Sequence, residues 1–309
     1  MPQASANNIT IEYESFGSPS DPTILLIMGL GMQMIAWPEQ FCVELASRGF
    51  RVVRYDNRDT GFSTKFDGAK APGVASLIFR SMLRLPIRVP YTLGDMADDA
   101  AGLLDALDVQ SGHIVGASMG GMIAQNLAAS HPRRVRSLTS VMSTSGHRSL
   151  PGADPLVSRH LFRTRPTGND REAVIAHNMR TIELIGSPAY PVDPETRREM
   201  VSISFDRAYY PAGFTRHVAA IVKDGDRRSR LNTITAPTLV IHGREDPLVP
   251  LAGGIDTAKH IPGAQLEIID GMGHNFPVEL WPQIIDMITD HARHSAANEE
   301  SPGSHNGIP

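Results

Sequence analysis

A serine held between two glycines is the feature that most constrains this chain. Gly116-Ala117-Ser118-Met119-Gly120 follows the short apolar run 113–115 and leads into segment 119–130, which has a helical pattern. A strand, a tight turn and a helix in this order form a nucleophile elbow, which thrusts the serine hydroxyl out of a sheet. Glycine is expected at both flanks because neighbours two positions away come too close for a Cβ. A chance pentapeptide in a turn is the alternative, but this context favours Ser118 as a nucleophile.

Apolar runs of strand length alternate with helical patterns along the chain. Strands are expected at 8–14, 23–28, 50–55, 113–118, 135–142, 238–242 and 264–270, and helices at 38–48, 92–107, 119–130 and about 278–294. This alternation predicts an α/β fold with a mainly parallel sheet that is covered by helices on both faces.

The middle of the chain has a different pattern. Between residues 145 and 232 strand-like runs are missing, arginines are frequent and prolines separate short helical pieces. We predict that this segment is a mainly helical cap over the carboxyl edge of the sheet, where open α/β folds bind ligands. The core then comprises 1–144 and 233–294, and the polar segment 295–309 is expected to be a disordered tail.

Composition excludes several classes of protein. A hydrophobic content of 41% with 20% charged residues is ordinary for a globular protein, and a net charge of −4 suggests neither nucleic acid nor an anionic membrane as a partner. The single cysteine, Cys42, excludes an internal disulfide and suits a reducing compartment. The first residues lack the features of a secretory signal, and the longest apolar run, 23–37, is too broken to span a bilayer. We therefore expect a cytoplasmic protein.

A serine nucleophile needs a histidine to take its proton and an acid to orient that histidine. In one known arrangement the chain order is serine, acid, histidine. The predicted strand 238–242 runs into Gly243-Arg244-Glu245-Asp246-Pro247, which places two acids just after a strand's carboxyl end. We choose Asp246, with Glu245 as the second choice. The alternative is that one of these acids caps a helix that starts near Val249.

The histidine is expected on the loop after the last strand. Asp270-Gly271-Met272-Gly273-His274 follows that strand, and its glycines free the approach of His274. The chain has twelve histidines, and no spacing among them suggests a metal site. His242 precedes Asp246 in the chain, and His113 enters the elbow strand from its far end. His274 is therefore the predicted general base.

Two backbone amides are needed to stabilise an oxyanion. One should belong to Met119, the residue after the nucleophile, and the other to the loop Met28-Gly29-Leu30-Gly31-Met32, which we call the oxyanion loop. Leu30 is the expected donor because Gly29 permits the turn that aims its amide. The two glycines also fit an ordinary strand-to-helix turn. No Gly-x-Gly-x-x-Gly follows this strand, so a dinucleotide site is not expected and no cofactor is predicted.

These segments together resemble the α/β-hydrolase superfamily, and in motif they are most similar to the aclacinomycin methylesterase-like hydrolases. The similarity is carried by Ile27–Gly31 with Trp37-Pro38, Arg54–Ser63, Gly116–Gly121, Pro237–Pro250 and Gly271–His274. Met28 stands where many members of the superfamily have a histidine. The resemblance implies a carboxylic ester hydrolase with Ser118, Asp246 and His274 as its triad and with Leu30 and Met119 at its oxyanion hole. It also implies that Asp56 and Arg58 brace the neighbouring loop.

Two segments lie outside this resemblance. The cap has no motif that identifies a substrate. The connection Thr64–Pro90 contains a stretch, 77–85, that is apolar with interspersed arginines. A short helix packed beneath the cap is the favoured interpretation; a lid element, a partner surface and a transient lipid-facing patch are the alternatives.

The leading hypothesis is a serine esterase acting on a small to medium, largely apolar ester, thioester or lactone, with a homodimer as an open option. A carbon–carbon bond hydrolase would use the same machinery. A non-catalytic ligand-binding protein of this fold is the alternative from another class, and the intact serine, acid and histidine in the required order argue against it.

Overall fold

The computed structural model of the protein describes residues 2–83, 85–163, 166 and 170–300. Its described strands form one eight-stranded sheet in the order β1-β2-β4-β3-β5-β6-β7-β8. Strands β2–β1 and β2–β4 pair antiparallel, and all other neighbours pair parallel. The strands are β1 Gln3–Ala6, β2 Ile9–Phe16, β3 Thr23–Ile27, β4 Arg51–Tyr55, β5 Gly112–Ala117, β6 Val135–Val141, β7 Thr238–Gly243 and β8 Gln265–Ile269.

Helices cover both faces of this sheet. Those of the core are α1 Glu39–Ser47, α2 Val74–Met82, α3 Leu93–Ala106, α4 Met119–Ser130, α10 Ala252–His260 and α11 Trp281–Glu300. Helices α3 and α4 pack on one face, and α1 and α11 pack on the other. The fold is therefore the predicted α/β arrangement with a mostly parallel central sheet.

Strand β3 shows how the apolar pattern builds two cores. Every residue of this strand is buried. Leu25 and Ile27 join the cluster under α3 and α4, whereas Ile24 and Leu26 join the cluster under α1 and α11. Because side chains alternate across a strand, an unbroken apolar run is what a strand between two helical layers requires.

The chain between β6 and β7 forms the helical cap. Its described helices are α5 Pro155–Arg163, α6 Arg171–Ile185, α7 Pro194–Arg207, α8 Pro211–Asp224 and α9 Arg228–Leu231. Buried ion pairs fasten the cap to the core, because Arg216 of α8 binds Asp59 with both carboxylate oxygens, at 2.6 and 2.9 Å. Arg207 of α7 lies 2.8 Å from Oδ2 of Asp56.

Several elements differ from the expectations. Strand β1 was not predicted from the sequence, and β2 continues two residues beyond the expected strand. Helix α2 is the short helix favoured within the connection 64–90, and its Leu77 packs against the cap. Helix α11 includes 295–300, the first six residues of the segment expected as a tail, whereas 301–309 lie outside the described residues. Along the described chain, no helix combines the length and the apolar character needed to cross a membrane.

Candidate active site

Ser118 occupies a strained turn between β5 and α4. Its backbone has φ 56° and ψ −119°, a conformation that costs a non-glycine residue about 1–3 kcal/mol. A Cβ on Gly116 would overlap the carbonyl oxygen of Gly120, and a Cβ on Gly120 would overlap that of Ile27. The turn therefore needs glycine on both sides of the serine. The Ser118 amide still donates to Val141 O at 2.9 Å, so the edge of the sheet fixes the turn.

Asp246 lies on the loop after β7 and uses its two carboxylate oxygens differently. Oδ2 accepts a hydrogen bond from Nδ1 of His274 at 2.7 Å. Oδ1 accepts from the amides of Leu248 and Val249 at 2.9 and 2.8 Å. Asp246 therefore pairs with the histidine through one oxygen and closes a turn with the other, and the helix-capping alternative is wrong. Helix α10 begins only at Ala252, so Oδ1 stabilises a turn and not the start of that helix.

Glu245, the second choice for the acid, points elsewhere. This residue is exposed, and its Oε2 accepts from the amide of Gly271 at 2.7 Å. Its own amide donates to Met272 O at 3.1 Å. Glu245 thus binds the loop 270–274, which we call the histidine loop, whereas Asp246 contacts His274 itself.

The histidine loop is held by the cap as well as by the core. The His274 amide donates to Ile185 O, at the end of α6, at 2.7 Å. The Gly273 amide donates to Ser187 Oγ at 2.8 Å, and that hydroxyl donates to Asn275 Oδ1 at 2.6 Å. A Cβ on Gly273 would overlap the carbonyl oxygen of Gly186. The glycine is therefore needed for close packing against the cap, and not only for flexibility.

His242 and His113, the other histidines considered for the general base, make different hydrogen bonds. His242 Nε2 donates to Val249 O at 2.7 Å and lies 3.6 Å from Asp246 Oδ2. Burial lowers the pKa of His242, which keeps its ring neutral. His113 is buried near the start of β5 and shares a 2.9 Å hydrogen bond with Ser137 Oγ. Of the three, His274 is the one that makes a hydrogen bond with the buried carboxylate of Asp246.

The oxyanion loop lies directly against the serine turn. A Cβ on Gly29 would come within 3.1 Å of Ser118 Cβ and 3.6 Å of its Oγ. Gly31 has φ +66°, and a Cβ there would lie 3.0 Å from the Phe214 ring of α8. Met119 is the first residue of α4, where amides have no partner within the helix. Gly29 thus lets the oxyanion loop approach Ser118 closely, and the N-terminus of α4 begins at the next residue.

His217 of α8 joins the cap to the oxyanion loop, a contact that the sequence did not indicate. Its Nε2 donates to Arg58 O at 2.8 Å, so Nδ1 is the acceptor for the Gly31 amide at 3.2 Å. The ring is fully buried, and burial lowers its pKa to about 4. A neutral imidazole with this fixed tautomer therefore holds Gly31, one residue after the Leu30 amide.

We expect the substitution His217→Leu to lower kcat strongly and to lower the free energy of unfolding only moderately. Losing the Gly31 contact should lower kcat about 10- to 100-fold with little change in KM, because a misplaced amide weakens transition-state stabilisation. His113→Leu is the matched control, since it also removes a buried, hydrogen-bonded histidine. Both variants should lose about 1–3 kcal/mol of stability, but only His217→Leu should lose kcat. Equal kcat values in the two variants would contradict this role.

We expect His113 and His217 to make the stability of the folded chain decrease at acidic pH. Burial lowers the pKa of both His113 and His217 to about 4, from an ordinary value of 6.5. Below pH 6.5 these two histidines become protonated in the unfolded chain but stay neutral in the folded chain. The free energy of unfolding should therefore fall as the pH drops towards 4. Each histidine contributes up to about 3 kcal/mol to this loss. We would measure the free energy of unfolding with denaturant at several pH values from 7 to 4. It should fall less steeply with decreasing pH in the variant His113→Leu/His217→Leu than in the wild type. An equally steep fall in both would refute the lowered pKa values of these two histidines.

The loop after β4 braces the site through buried charges. Asp56 Oδ1 accepts from the Met34 amide at 2.8 Å, and Arg58 binds both oxygens of Asp99 at 2.6 Å. Asp59 accepts from the Tyr91 hydroxyl at 2.6 Å and binds Arg216 of the cap. The structural role expected for Asp56 and Arg58 matches these contacts, whereas Asp59 and Arg216 carried no sequence signal.

Comparison with known proteins identifies the family of this chain. A family model described as alpha/beta hydrolase fold matches residues 22–279. The chain belongs to this family. Among alpha/beta hydrolase relatives, the rhodomycin D methylesterase of Streptomyces sp. strain C5 is 29% identical, with 93% of this chain and 96% of the relative covered. The rhodomycin D methylesterase of Streptomyces peucetius is 27% identical with the same coverage of both chains.

A second kind of alpha/beta hydrolase is also similar. A 2-hydroxy-6-oxononadienedioate/2-hydroxy-6-oxononatrienedioate hydrolase of Cupriavidus pinatubonensis is 34% identical, but only 56% of this chain and 59% of that protein are covered. The solved meta-cleavage product hydrolase of Pseudomonas fluorescens IP01 superposes with a TM-score of 0.72 at 18% identity, over 97% of this chain and 98% of the other. At this identity the likeness is one of fold.

Proposed function

We propose that this alpha/beta hydrolase is a serine hydrolase that cleaves carboxylic esters through an acyl-enzyme. The observation that carries the proposal is the 2.7 Å hydrogen bond from His274 to the buried carboxylate of Asp246, because both residues follow strands whose carboxyl ends share one sheet edge with the strained Ser118. A nucleophile, a base and an acid at one edge form the minimal constellation for acyl transfer.

In the proposed reaction, Ser118 Oγ attacks the ester carbonyl carbon while Nε2 of His274 takes the hydroxyl proton. Asp246 stabilises the imidazolium through Nδ1, and the amides of Leu30 and Met119 bind the oxyanion. His274 then returns the proton to the departing alcohol, which leaves Ser118 acylated. Water, deprotonated by His274, attacks the acyl group, and collapse of the second intermediate releases the acid and restores the serine.

The substrate class that we favour is the methyl ester of a small to medium, largely apolar carboxylic acid. Two relatives that align along nearly their whole length are named as methylesterases. Thioesters and lactones contain the same electrophilic carbonyl and are secondary candidates. Leu30 of the oxyanion loop and Phe214, which packs against its Gly31, are apolar, which suits a substrate with apolar groups beside the ester.

Carbon–carbon bond hydrolysis is the second candidate, because a hydrolase of a 2-hydroxy-6-oxo dienedioate is 34% identical over about half the chain. The two activities are separated by a substrate panel with an aryl methyl ester, 4-nitrophenyl butyrate and a 2-hydroxy-6-oxo-diene acid. We expect kcat/KM for an ester to exceed that for the dienoic acid at least about tenfold. The opposite order would replace the esterase proposal, and hydrolysis of none would refute both.

Two further expectations stay predictions. A cytoplasmic location would suit the single buried Cys42, and a homodimer is compatible with the fold. Among the residues that the structure describes, no group of three or more histidine, cysteine or acidic side chains is arranged to hold a metal ion. The proposed reaction uses only side chains and backbone amides of this chain.

A further inference from the structure

Helix α2 is amphipathic, and its apolar face points to solvent. Leu77 is fully buried against Val218 and Ala219 of the cap helix α8. Ile78, Phe79, Met82 and Leu83 are 52%, 60%, 75% and 55% exposed. At about 100° per residue, these four side chains cover the side of α2 opposite Leu77. We call them the α2 face.

Such a cluster requires an explanation. Single exposed apolar residues are ordinary, but neighbouring large side chains on one helix surface mark a site of interaction. Leu85, just beyond the helix, is 42% exposed and enlarges the same apolar segment. The helix is already anchored on its other side by Leu77, and more than half of each side chain in the α2 face is open to solvent.

The charged residues of the segment that carries the α2 face are all positive. From Gly68 to Gly94 the sequence contains four cations, Lys70, Arg80, Arg84 and Arg88, and no aspartate or glutamate, although the whole chain has a net charge of −4. Arg80 lies between Phe79 and Met82, Arg88 follows the apolar segment, and both arginines are exposed. Apolar side chains flanked by arginines are the composition of helices that lie in the interface of an anionic membrane.

We propose that the α2 face docks reversibly on an anionic lipid surface, with its apolar side chains at the boundary of headgroups and acyl chains and with Arg80 and Arg88 at the phosphates. A second copy of this chain fits less well. A two-fold interface places the same patch on both sides, which would bring the arginines of one copy against those of the other.

Docking at this position connects the lipid surface to the site. Helix α2 packs on α8, and the Phe214 ring of α8 lies against Gly31 of the oxyanion loop. A carboxylic ester that partitions into lipid would therefore be concentrated one helix away from Ser118. The docking proposal itself does not depend on the proposed esterase activity, so the two can fail separately.

The first test is sedimentation of the full chain with vesicles of phosphatidylcholine alone or mixed with phosphatidylglycerol. We expect binding to the mixed vesicles, weakened by salt, and little binding to phosphatidylcholine alone. Phe79→Ser/Met82→Ser should weaken binding about tenfold or more. Arg80→Gln/Arg88→Gln should abolish the preference for the anionic lipid. Equal binding by the wild type and both variants would overturn the proposal, as would no binding to either vesicle.

The matched control is Leu156→Ser/Ile203→Ser, which removes two apolar side chains of the cap that are 55% and 53% exposed. It should bind the mixed vesicles like the wild type. None of these residues lies in the catalytic constellation, so hydrolysis of a water-soluble ester should stay unchanged in every variant and reports that each is folded. A control that loses as much binding as Phe79→Ser/Met82→Ser would show that the α2 face is not the docking surface.

A second test does not depend on loss of binding. Met82→Cys places a thiol in the α2 face, and the natural Cys42 is buried. An environment-sensitive fluorophore on this thiol should shift to shorter wavelength with phosphatidylglycerol vesicles. Light scattering without lipid should show the same mass for the wild type and Phe79→Ser/Met82→Ser. If the spectrum does not shift, and if the wild type is a dimer whereas Phe79→Ser/Met82→Ser is a monomer, the α2 face binds a second copy of the chain and lipid docking is refuted.

Discussion

Ser118→Ala should lower kcat/KM for ester hydrolysis by about 10⁵- to 10⁶-fold, because the proposed reaction has no covalent intermediate without the hydroxyl. The fold should be unaffected. Alanine keeps the Cβ that already lies in the strained turn, with φ 56°, and the Ser118 amide still bonds to Val141 O. Measured rates for 4-nitrophenyl butyrate, together with the free energy of unfolding, check both expectations. A variant that retains a tenth of the activity would exclude Ser118 as the nucleophile.

Ser143→Ala is the matched control for this substitution. Its hydroxyl donates to the carbonyl oxygen of Ser118 at 2.8 Å, so it is a serine that contacts the same turn from the end of β6 without a proposed chemical role. Its kcat/KM should fall by no more than about tenfold, which is the cost of a lost neutral hydrogen bond. Ser118→Gly offers a second comparison. It should be as inactive as Ser118→Ala but more stable by about 1 kcal/mol, since glycine adopts this backbone without strain.

Asp246→Asn should lower kcat by about 10⁴-fold while the loop keeps its shape. The asparagine oxygen can still accept from the amides of Leu248 and Val249, as Oδ1 does now. Its amide nitrogen, in contrast, would donate to Nδ1 of His274 and force the proton onto Nε2. That tautomer cannot take the proton of Ser118, and the imidazolium loses its negative partner.

Glu245→Gln is the control that the chain itself provides, one residue away. Glu245 is exposed and accepts from the Gly271 amide, a contact that glutamine retains. Its kcat should stay within about threefold of the wild type, as for a surface change. Steady-state kinetics of both variants decide between the adjacent acids. A large loss in Glu245→Gln with a small loss in Asp246→Asn would reverse their roles.

The sequence was most informative where a residue's role is decided locally. The turn at Ser118 could be predicted because its two glycines, its strand and its helix are contiguous, and steric overlap dictates them. The candidates Asp246 and His274 could be found because each follows an apolar run at the end of a strand. The alternation of apolar runs and helical patterns predicted the strands and helices of the core, and the missing strand-like runs with prolines between short helical pieces predicted the helical cap.

Contacts between distant segments could not be predicted in this way. His217 meets Gly31 across 186 residues, and Ser187 meets Gly273 across 86. Each is an ordinary polar residue in its own segment, and only the docking of the cap gives it a partner. The side of α2 that faces solvent could not be predicted either. Leu77 is buried because it packs against α8, which is distant in sequence, and its neighbours in the sequence do not indicate this contact.

The cap therefore has two roles in this account. It covers the sheet edge, and through His217 and the end of α6 it holds both the oxyanion loop and the histidine loop. Groups must be held to a fraction of an ångström for catalysis, so distant substitutions in the cap should affect turnover as well as substrate choice. The proposed catalytic residues could be chosen from local sequence, whereas the substrate depends on the cap, which has no motif that identifies it.

Covalent labelling by a 4-nitrophenyl alkylphosphonate tests the central claim most directly. The reagent forms a stable phosphonyl ester with an activated serine and releases one 4-nitrophenolate. We predict one equivalent of nitrophenolate per chain, loss of esterase activity in parallel, and a phosphonyl adduct that peptide mass spectrometry locates on Ser118, with no adduct in Ser118→Ala. An adduct on another residue, or ester turnover that continues with Ser118 unlabelled, would contradict the account.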